Sequence, residues 1–566
     1  MGIRIVRVKV DDRPVFVFAA LGLLLALVIL QHRNIYEDEW VSLNVIRMPL
    51  VELWRWGNVH DIHPPGMLAL DRLTLLVLGG ARRIAVVHLL VWLAGVLAFV
   101  LGARSLVRTS WGRLVFIALS FLHPQALTWD SSIRWYPVWW GIALAMVAAG
   151  LLPRRKGPPG WAVTLGLGAA FAALIYLDYL ALVFIPSFAV AWLVRYGFSR
   201  ASVTRVIAMS ALPAVLAAPQ IAQFRNEFLL HAHVHLSHPL TASQLSQMAK
   251  EVPPQAPSRV PTSLVSFLRV VYVLSIGGAI LPWHPVAVVV GLMLILPCTL
   301  LLIPALPRRW RELAAADPPE HRTLAALVTL PTLMVAAAVP SGVGDHPYSL
   351  LGLVPFAALL LALGAEYVGA RWWRVLVLGI AAVWIALGAH NLITRSGISK
   401  RQLNARPEAM IARLEHLAGG RPALVVTNDL ILTFEINQRR AQNGTPLVVA
   451  SCWDDRIHGF PAGLHDDPGR LAMVFEVEHP EGDWDAPGAM SRQALILARG
   501  LIDEPRSEDL GIDRDWQWKR RVPGAALQSA TLRVYYGRPR PGDWAAIDRL
   551  MQQAAGLTIF GGHGSD

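Results

Sequence analysis

Apolar residues come in long blocks up to about residue 392 and in short runs after residue 400. Each block holds roughly 17–25 residues, enough for a helix to cross about 30 Å of hydrocarbon. The pattern predicts an α-helical polytopic membrane protein of about 11–13 transmembrane helices, with a C-terminal soluble α/β domain. The predicted domain boundaries are residues 1–395, mostly in the membrane, and residues 396–566, outside it.

Short basic clusters between the blocks indicate the orientation of the spans. They are Arg4/Arg7/Lys9/Arg13, Arg104/Arg108/Arg113, Arg154/Arg155/Lys156, Arg195/Arg200/Arg205, Arg308/Arg309/Arg311 and Arg371/Arg374. Such clusters stay in the cytoplasm, so the spans between them come in pairs and the last one is unpaired. This places the chain in the plasma (inner) membrane, with a cytoplasmic N-terminus and an extracytoplasmic C-terminal domain.

The predicted spans follow from the apolar blocks and the clusters together. They are residues 14–30, 84–102, 113–129, 135–152, 161–178, 179–195, 204–221, 284–305, 323–340, 347–365 and 375–392. Two less apolar segments, 65–79 and 264–282, are predicted not to cross. The first block is interpreted as a retained helix, because no small-residue cleavage site of a signal peptide follows it.

Composition agrees with a membrane protein and gives no support to a nucleic-acid-binding one. Hydrophobic residues make up 54% of the chain and charged residues 16%, against roughly 25% charged residues in soluble proteins. The net charge of +12 does not indicate nucleic-acid binding, because the basic residues lie between the apolar blocks. The C-terminal part is predicted to contain strands at 422–428, 446–451 and 531–536, and helices at 406–417 and 543–554.

Two polar motifs lie in the first predicted outward loop, residues 31–64. Asp38 and Glu39 follow the first span, and three interpretations of them stay open: a solvated face, a divalent cation site or a general base. A low-dielectric surface raises the pKa of a carboxyl group, as a general base requires. Asp61 and His63 precede two prolines that impose an extended bend. The alternative for this second motif is a capped helix start.

Further polar residues lie at predicted outer junctions. Arg134, with Asp130 and Tyr136 beside it, suits a phosphate that a guanidinium binds with two hydrogen bonds, or else it extends its charge towards the interface. Asp178 interrupts an apolar stretch, where carboxylates are usually functional or paired. The other candidates are His346 and Tyr348 after the ninth span and the alternating His231, His233, His235 and His238, which suit a metal site or an exposed loop.

The order of these motifs resembles the GT-C superfamily of polyprenyl-phosphate-dependent glycosyltransferases. The nearest branch contains protein O-mannosyltransferases and lipid A aminoarabinose transferases. Asp38-Glu39 matches its acidic pair, and Asp61-Ile62-His63-Pro64-Pro65 matches its Asp-x-His-Pro-Pro element. Arg134 and Tyr136 match the element after its third span, and Tyr348 matches a late one. Two residues depart from the pattern: Ser132 stands where members often have Glu, and Asp178 replaces a His.

The resemblance implies a hexosyl- or pentosyltransferase. It would move a sugar from a polyprenyl-phosphate donor to an acceptor hydroxyl at the outer face, with inversion. Asp38 would be the general base, Glu39 would orient it, and Arg134 would stabilise the leaving phosphate. The implied substrate-binding residues are Asp61, His63, Asp130, Arg134, Tyr136, Asp178, His346 and Tyr348.

Cofactor and partners follow from the same resemblance. A divalent metal ion is left open as a cofactor, with Glu39 and His63 as candidate ligands. The expected partners are the polyprenyl-phosphate-linked sugar donor, a glycan, lipid or protein acceptor, and membrane lipids, with no nucleic acid. An alternative function is a transporter or flippase of a lipid-linked or anionic substrate, although such proteins usually show internal repeats and midplane polar sites. A non-catalytic membrane scaffold would leave the acidic and arginine motifs unexplained.

Overall fold

A computed structural model shows two compact units in the chain. The first comprises Met1–Arg33, Val41–Thr241 and Ala256–Lys400, and the second comprises Asn34–Trp40, Ala242–Gln255 and Arg401–Asp566. The structure describes residues 12–33, 39, 42–43, 45–60, 63–153, 157–223, 267, 270–274, 276–277, 289, 292–293, 307–308, 310–312, 314–315, 318–338, 347–366, 371–394, 407–427, 432, 436, 439–440, 444–451, 471–478, 502–512 and 531–539.

The first unit is helical throughout its longer described segments. Its helices are α1 Arg13–His32, α2 Leu50–His60, α3 Gly66–Leu78, α4 Ala81–Ala103, α5 Ser110–Leu122, α6 Pro124–Trp129, α7 Trp135–Gly150, α8 Trp161–Leu177, α9 Ala181–Tyr196, α10 Arg200–Leu216, α11 Pro318–Ala338, α12 Val354–Ala365 and α13 Arg371–Thr394. A 3₁₀ turn, Pro347–Leu353, leads into α12.

Several of these helices are suited to a lipid environment. Within the described residues, Arg13–His32, Arg82–Leu106 and Arg374–Thr394 are long and apolar enough to cross a membrane. Shorter apolar helices lie at Trp135–Gly150, Trp161–Leu177, Ala181–Tyr196 and Leu351–Ala365. The chain is therefore a polytopic helical membrane protein, as the apolar blocks predict.

One predicted span is broken in the structure. The sequence predicts a single helix over 113–129, but α5 ends at Leu122 and α6 begins at Pro124. Proline has no N–H for the helix and fits its first position. The Nδ1 atom of His123 accepts a hydrogen bond from the backbone N–H of Gln125 at 3.1 Å and so caps α6. The break makes α6 a short element that leads into the turn at 130–134.

The helices of the first unit pack closely where small residues meet. A Cβ atom added to Gly95 of α4 would lie 2.1 Å from the carbonyl oxygen of Gly141 in α7. The two backbones are therefore in contact, as is common between membrane helices. Aromatic rings interlock nearby, with Phe184 of α9 5.4 Å from Trp139 and 5.8 Å from Phe188, centroid to centroid. This packing fixes α7 against α4 and α9.

The connection between α3 and α4 depends on glycine. Gly79 and Gly80 have φ values of 66° and 82°, which residues with a side chain rarely adopt. This two-residue turn folds α4 back beside α3. It brings Asp71 of α3 into contact with His88 of α4.

The second unit contains a five-stranded sheet. Its strands are β1 Ala423–Thr427, β2 Leu447–Ser451, β3 Leu471–Glu478, β4 Ile502–Ile512 and β5 Thr531–Pro539, in the spatial order β2-β1-β3-β5-β4. Strand β1 is parallel to β2 and β3, whereas β5 is antiparallel to β3 and β4. Helix α14, Pro407–Ala418, buries Ile411 and Leu414 in one cluster with Val425 and Val534. The predicted helix at 543–554 lies outside the described residues.

Candidate functional site

Arg134 lies at the N-terminal end of α7. It is the N-cap residue of that helix, with extended backbone angles of −140° and 170°, and its side chain makes no capping bond. A guanidinium has only donors, so it cannot accept from the orphan N–H groups of a helix start. Its Nη1 atom instead donates to the hydroxyl of Ser42 at 3.1 Å. The side chain is only partly buried.

Arg134 lies where the field of the helix favours an anion. The N-terminal end of a helix carries about half a positive charge, which favours anions and opposes cations there. A second positive charge at this point gains stability when an anion lies against both. Helix starts and arginine both bind phosphate well. The arrangement therefore suits an anionic group of a ligand.

His63 and Asp178 form a direct pair. The Nδ1 atom of His63 lies 2.7 Å from Oδ2 of Asp178, and the two side chains are 21% and 7% exposed. The other carboxyl oxygen, Oδ1, accepts from the backbone N–H of Leu180 at 2.8 Å. Asp178 thus closes the end of α8, shapes the start of α9 and holds His63, although the two residues are 115 positions apart.

The loop that carries His63 is positioned by backbone contact. A Cβ atom added to Gly66 would lie 2.3 Å from the carbonyl oxygen of Tyr176, near the end of α8. On the other side, a Cβ added to Gly57 of α2 would lie 2.8 Å from Cβ of Pro65. The Pro-Pro-Gly segment therefore fits tightly between α2 and α8. This fit brings His63 to Asp178.

Trp135 joins the pair to the arginine. Its ring centroid lies 5.8 Å from that of His63, and it follows Arg134 directly in the chain. Ser42 contacts Arg134, and His63 contacts both Asp178 and the residue after Arg134. We call this part of the first unit, assembled from four separated parts of the sequence, the polar region. Tyr136 is buried beside it, with its ring 5.8 Å from that of Trp129.

Asp130 is buried in the turn between α6 and α7. It is 1% exposed, and this burial raises the pKa of its carboxyl group to about 8, against the attraction of Arg33. The Arg33 guanidinium donates to the neighbouring carbonyl of Ser131 at 2.7 Å. At neutral pH Asp130 is therefore mostly protonated.

The described residues do not assemble a metal site. No group of three or more His, Cys, Asp or Glu side chains among them is placed to hold a metal ion. Structural zinc sites use four protein ligands and catalytic ones usually three, and the Nδ1 atom of His63 contacts Asp178. Glu39 is buried and belongs to the second compact unit.

Three predicted site residues, Asp38, Asp61 and His346, lie outside the described residues. The same holds for the four histidines of the alternating run at 231–238. Tyr348 lies in the 3₁₀ turn Pro347–Leu353, but its side chain is outside what the structure describes. Of the predicted set, the structure thus brings together His63, Arg134 and Asp178, and it places Asp130 and Tyr136 in the adjoining turn and helix.

The sequence analysis missed three residues of this region, Ser42, Asp71 and His88. The His88 ring lies between Asp71 and the Ser132 carbonyl, at 2.7 Å from each. A signal for the pair was present, since Asp71 and His88 are ionisable residues in apolar segments and such residues are usually functional or paired. Ser42 carries no signal of this kind.

The chain was compared with known proteins. No family model and no curated protein match it. The structure of ArnT from Cupriavidus metallidurans bound to undecaprenyl phosphate is similar at 13% identity and a TM-score of 0.45, covering 92% of this chain and 98% of that one. Arabinofuranosyltransferase AftD from Mycobacteria is similar at 15% identity and a TM-score of 0.40, covering 95% of this chain and 40% of that one.

An oligosaccharyltransferase from Archaeoglobus fulgidus, solved with zinc and sulfate, is similar at 12% identity and a TM-score of 0.41, covering 66% of this chain and 53% of that one. At TM-scores below 0.5 these similarities do not define a function for this chain. Its own contacts define a helical membrane protein with a polar region around Arg134 that is suited to an anionic ligand.

Proposed function

We propose that this protein is a membrane glycosyltransferase that moves a sugar from a polyprenyl-phosphate donor to an acceptor hydroxyl. The observation that carries the proposal is the place of Arg134 at the positive end of α7, beside the His63–Asp178 pair. A cation and a helix start directed at one point suit the phosphate of such a donor. The ordered motifs of the sequence, which resemble those of the GT-C superfamily, support the same reaction class.

The chemistry divides between a base and a cation. Asp38 takes the proton of the acceptor hydroxyl as its oxygen forms a bond to the anomeric carbon. The bond between that carbon and the phosphate oxygen breaks on the opposite side, so the configuration inverts. Its electron pair leaves with polyprenyl phosphate, whose charge grows in the transition state. Arg134 stabilises that charge, and His63 and Asp178 contact the sugar.

The proposed role of Asp38 as the general base is tested in cells, where neither the sugar donor nor the acceptor has to be known. A deletion strain is complemented with the wild-type gene, Asp38→Asn or Glu52→Gln, and the envelope glycans are analysed by mass spectrometry. The mass of one sugar residue, lost on deletion, should return with the wild type and not with Asp38→Asn. Glu52 is the matched control, because it is an exposed carboxylate of the same loop.

Two outcomes contradict the proposal at different levels. Full restoration by Asp38→Asn, at equal protein abundance in the membrane, refutes the base. An unchanged glycan mass profile in the deletion strain refutes the transferase. The proposed orientation, with residues 396–566 as an extracytoplasmic domain, is tested separately by a reporter fused after residue 400. A cytoplasmic signal from that reporter would exclude the orientation.

A further inference from the structure

A buried carboxyl–imidazole pair contacts the turn that leads to Arg134. The Oδ1 atom of Asp71 lies 2.7 Å from Nε2 of His88, and both side chains are 1% exposed. The other ring nitrogen, Nδ1, lies 2.7 Å from the carbonyl oxygen of Ser132. The two helices α3 and α4 therefore reach the turn through one chain of hydrogen bonds.

The Ser132 carbonyl at the end of this chain of hydrogen bonds determines where its protons lie. The Ser132 carbonyl only accepts, so Nδ1 of His88 carries a hydrogen and donates it. A further proton lies between Nε2 and the Asp71 carboxyl oxygen, and the pair is neutral as a whole whichever of the two atoms carries it. A neutral, hydrogen-bonded pair is compatible with full burial. Asp71 thereby holds the ring at Nε2 while Nδ1 donates to Ser132.

The turn is held at two successive carbonyls. His88 binds that of Ser132, and Arg33, from the end of α1, binds that of Ser131 at 2.7 Å. Inside the turn, the N–H of Ser132 donates to the carbonyl of Trp129 at 3.2 Å. Arg134 follows two residues later, in extended backbone at the start of α7. The turn that these bonds hold therefore leads directly into the backbone from which the Arg134 side chain starts.

We propose that Asp71 and His88 are positioning residues, which hold the Ser132 peptide so that Arg134 points into the polar region beside His63 and Asp178. The inference rests on the proposed role of Arg134 at a donor phosphate. A displacement of about 1 Å in a reacting group costs up to roughly 100-fold in rate. Because Arg134 acts on charge that develops in the transition state, the loss falls on kcat and leaves KM nearly unchanged.

Two substitutions of similar volume separate positioning from packing. In Asp71→Asn, the amide donates to Nε2 of a neutral His88, so Nδ1 still donates to Ser132 and most of the transfer rate remains. In Asp71→Leu, the hydrogen bond to Nε2 is lost, so α3 no longer holds the imidazole ring against Ser132, and kcat falls by about 10- to 100-fold. A purely structural role predicts less folded protein in Asp71→Leu, which loses one partner of a buried pair, but an unchanged kcat per folded molecule in both variants. Equal rates in the two variants overturn the proposal.

A double-mutant cycle tests whether the pair acts through the arginine. In an Arg134→Gln background, Asp71→Leu should lower kcat no further, because the group that it positions is gone. An additive loss means that Asp71 acts by another route, and it refutes the inference. Thr74→Val is the control on the same helix: its exposed hydroxyl donates to the Leu70 carbonyl at 2.9 Å, and the substitution should leave kcat unchanged in both backgrounds.

A third measurement needs no activity. Hydrogen–deuterium exchange of peptides covering residues 129–140 should be faster in Asp71→Leu than in the wild type, and unchanged in Asp71→Asn and Thr74→Val. Unchanged exchange in Asp71→Leu refutes the positioning role even if the transferase proposal holds. The two proposals can also fail separately. If the exchange rates change as expected but the protein transfers no sugar, the positioning of Arg134 is supported and the proposed reaction is refuted.

Discussion

Helix α7 has an arginine at each end, and the two ends differ in kind. At its C-terminal end, Arg195 of α9 is 2% exposed and donates to the carbonyls of Leu151 at 3.3 Å and Pro153 at 2.9 Å. The hydroxyl of Tyr196 donates to the Gly150 carbonyl at 2.7 Å. Helix C-termini leave carbonyls unsatisfied and carry partial negative charge, so a cation there stabilises the fold.

At the N-terminal end the same residue type meets the opposite field. Arg134 adds positive charge to the positive end of the helix and donates to the hydroxyl of Ser42. The comparison teaches that Arg195 satisfies the carbonyls of a helix end, whereas Arg134 is suited to a ligand that brings negative charge.

The largest expected effect is on Arg134. We expect Arg134→Gln to lower kcat on the order of 100- to 1,000-fold, as removal of a donor to developing charge does, with an equal or higher unfolding temperature. The measurement is transfer of the sugar identified by the deletion strain, together with thermal unfolding in detergent. Arg200→Gln, an exposed arginine at the start of α10, should change neither. A loss of stability in Arg134→Gln would remove the contrast between the two ends.

The second effect is on Arg195. Arg195→Met keeps the side-chain length but leaves the buried carbonyls of Leu151 and Pro153 without this donor, at about 1–3 kcal/mol for each unsatisfied group. We expect the unfolding temperature to fall by several degrees, while kcat per folded molecule stays the same. Active-site titration of the folded fraction separates the two quantities. A fall in kcat at full folding would mean that the C-terminal end also serves the reaction.

A third prediction sharpens the account of the N-terminal end. Gly66→Ala forces a Cβ atom towards the Tyr176 carbonyl, and such overpacking costs about 1–3 kcal/mol. The loop must move, so His63 leaves Asp178 and transfer falls in parallel with stability. The matched control is Gly166→Ala in α8, where a Cβ meets nothing within 4 Å and a helix gains up to about 1 kcal/mol. Equal stability of the two variants would show that the close contact is not required.

The sequence predicted the helices of the first unit well, because apolar block length is a local property. It also selected Asp178 and His63, one as a costly carboxylate and the other as part of a proline-rich motif. It did not pair them, because their contact depends on Gly66 lying against α8, and the closeness of two backbones leaves no local signal. The break at Pro124 lies inside one predicted span, 113–129, because apolar block length does not show where a helix is interrupted.

Other parts of the site depend on tertiary burial. Asp71 and His88 carried the same signal as Asp178, but the segment around Asp71 was predicted not to cross the membrane and received no further weight. Ser42 is an ordinary residue whose contact with Arg134 arises only in the folded chain. Asp130 was interpreted as a charged neighbour of Arg134, whereas burial changes its protonation state. A sequence identifies ionisable residues but not the solvent that surrounds them.

The smallest expected effect concerns whether Asp130 adds a charge at this end of α7. Its pKa of about 8 in the folded protein lies above the ordinary value of 3.8, so the folded state binds a proton that the unfolded state has lost. The stabilisation is complete below pH 3.8 and is lost as pH rises towards 8, at roughly 1.4 kcal/mol per pH unit. Wild-type stability should therefore fall between pH 6 and pH 7 by more than that of Asp130→Asn, whose amide does not titrate. Glu52→Gln should keep the wild-type slope. If Asp130→Asn lowers stability equally at both pH values, the carboxyl group is ionised beside Arg33, and the N-terminal end of α7 contains its own counter-ion.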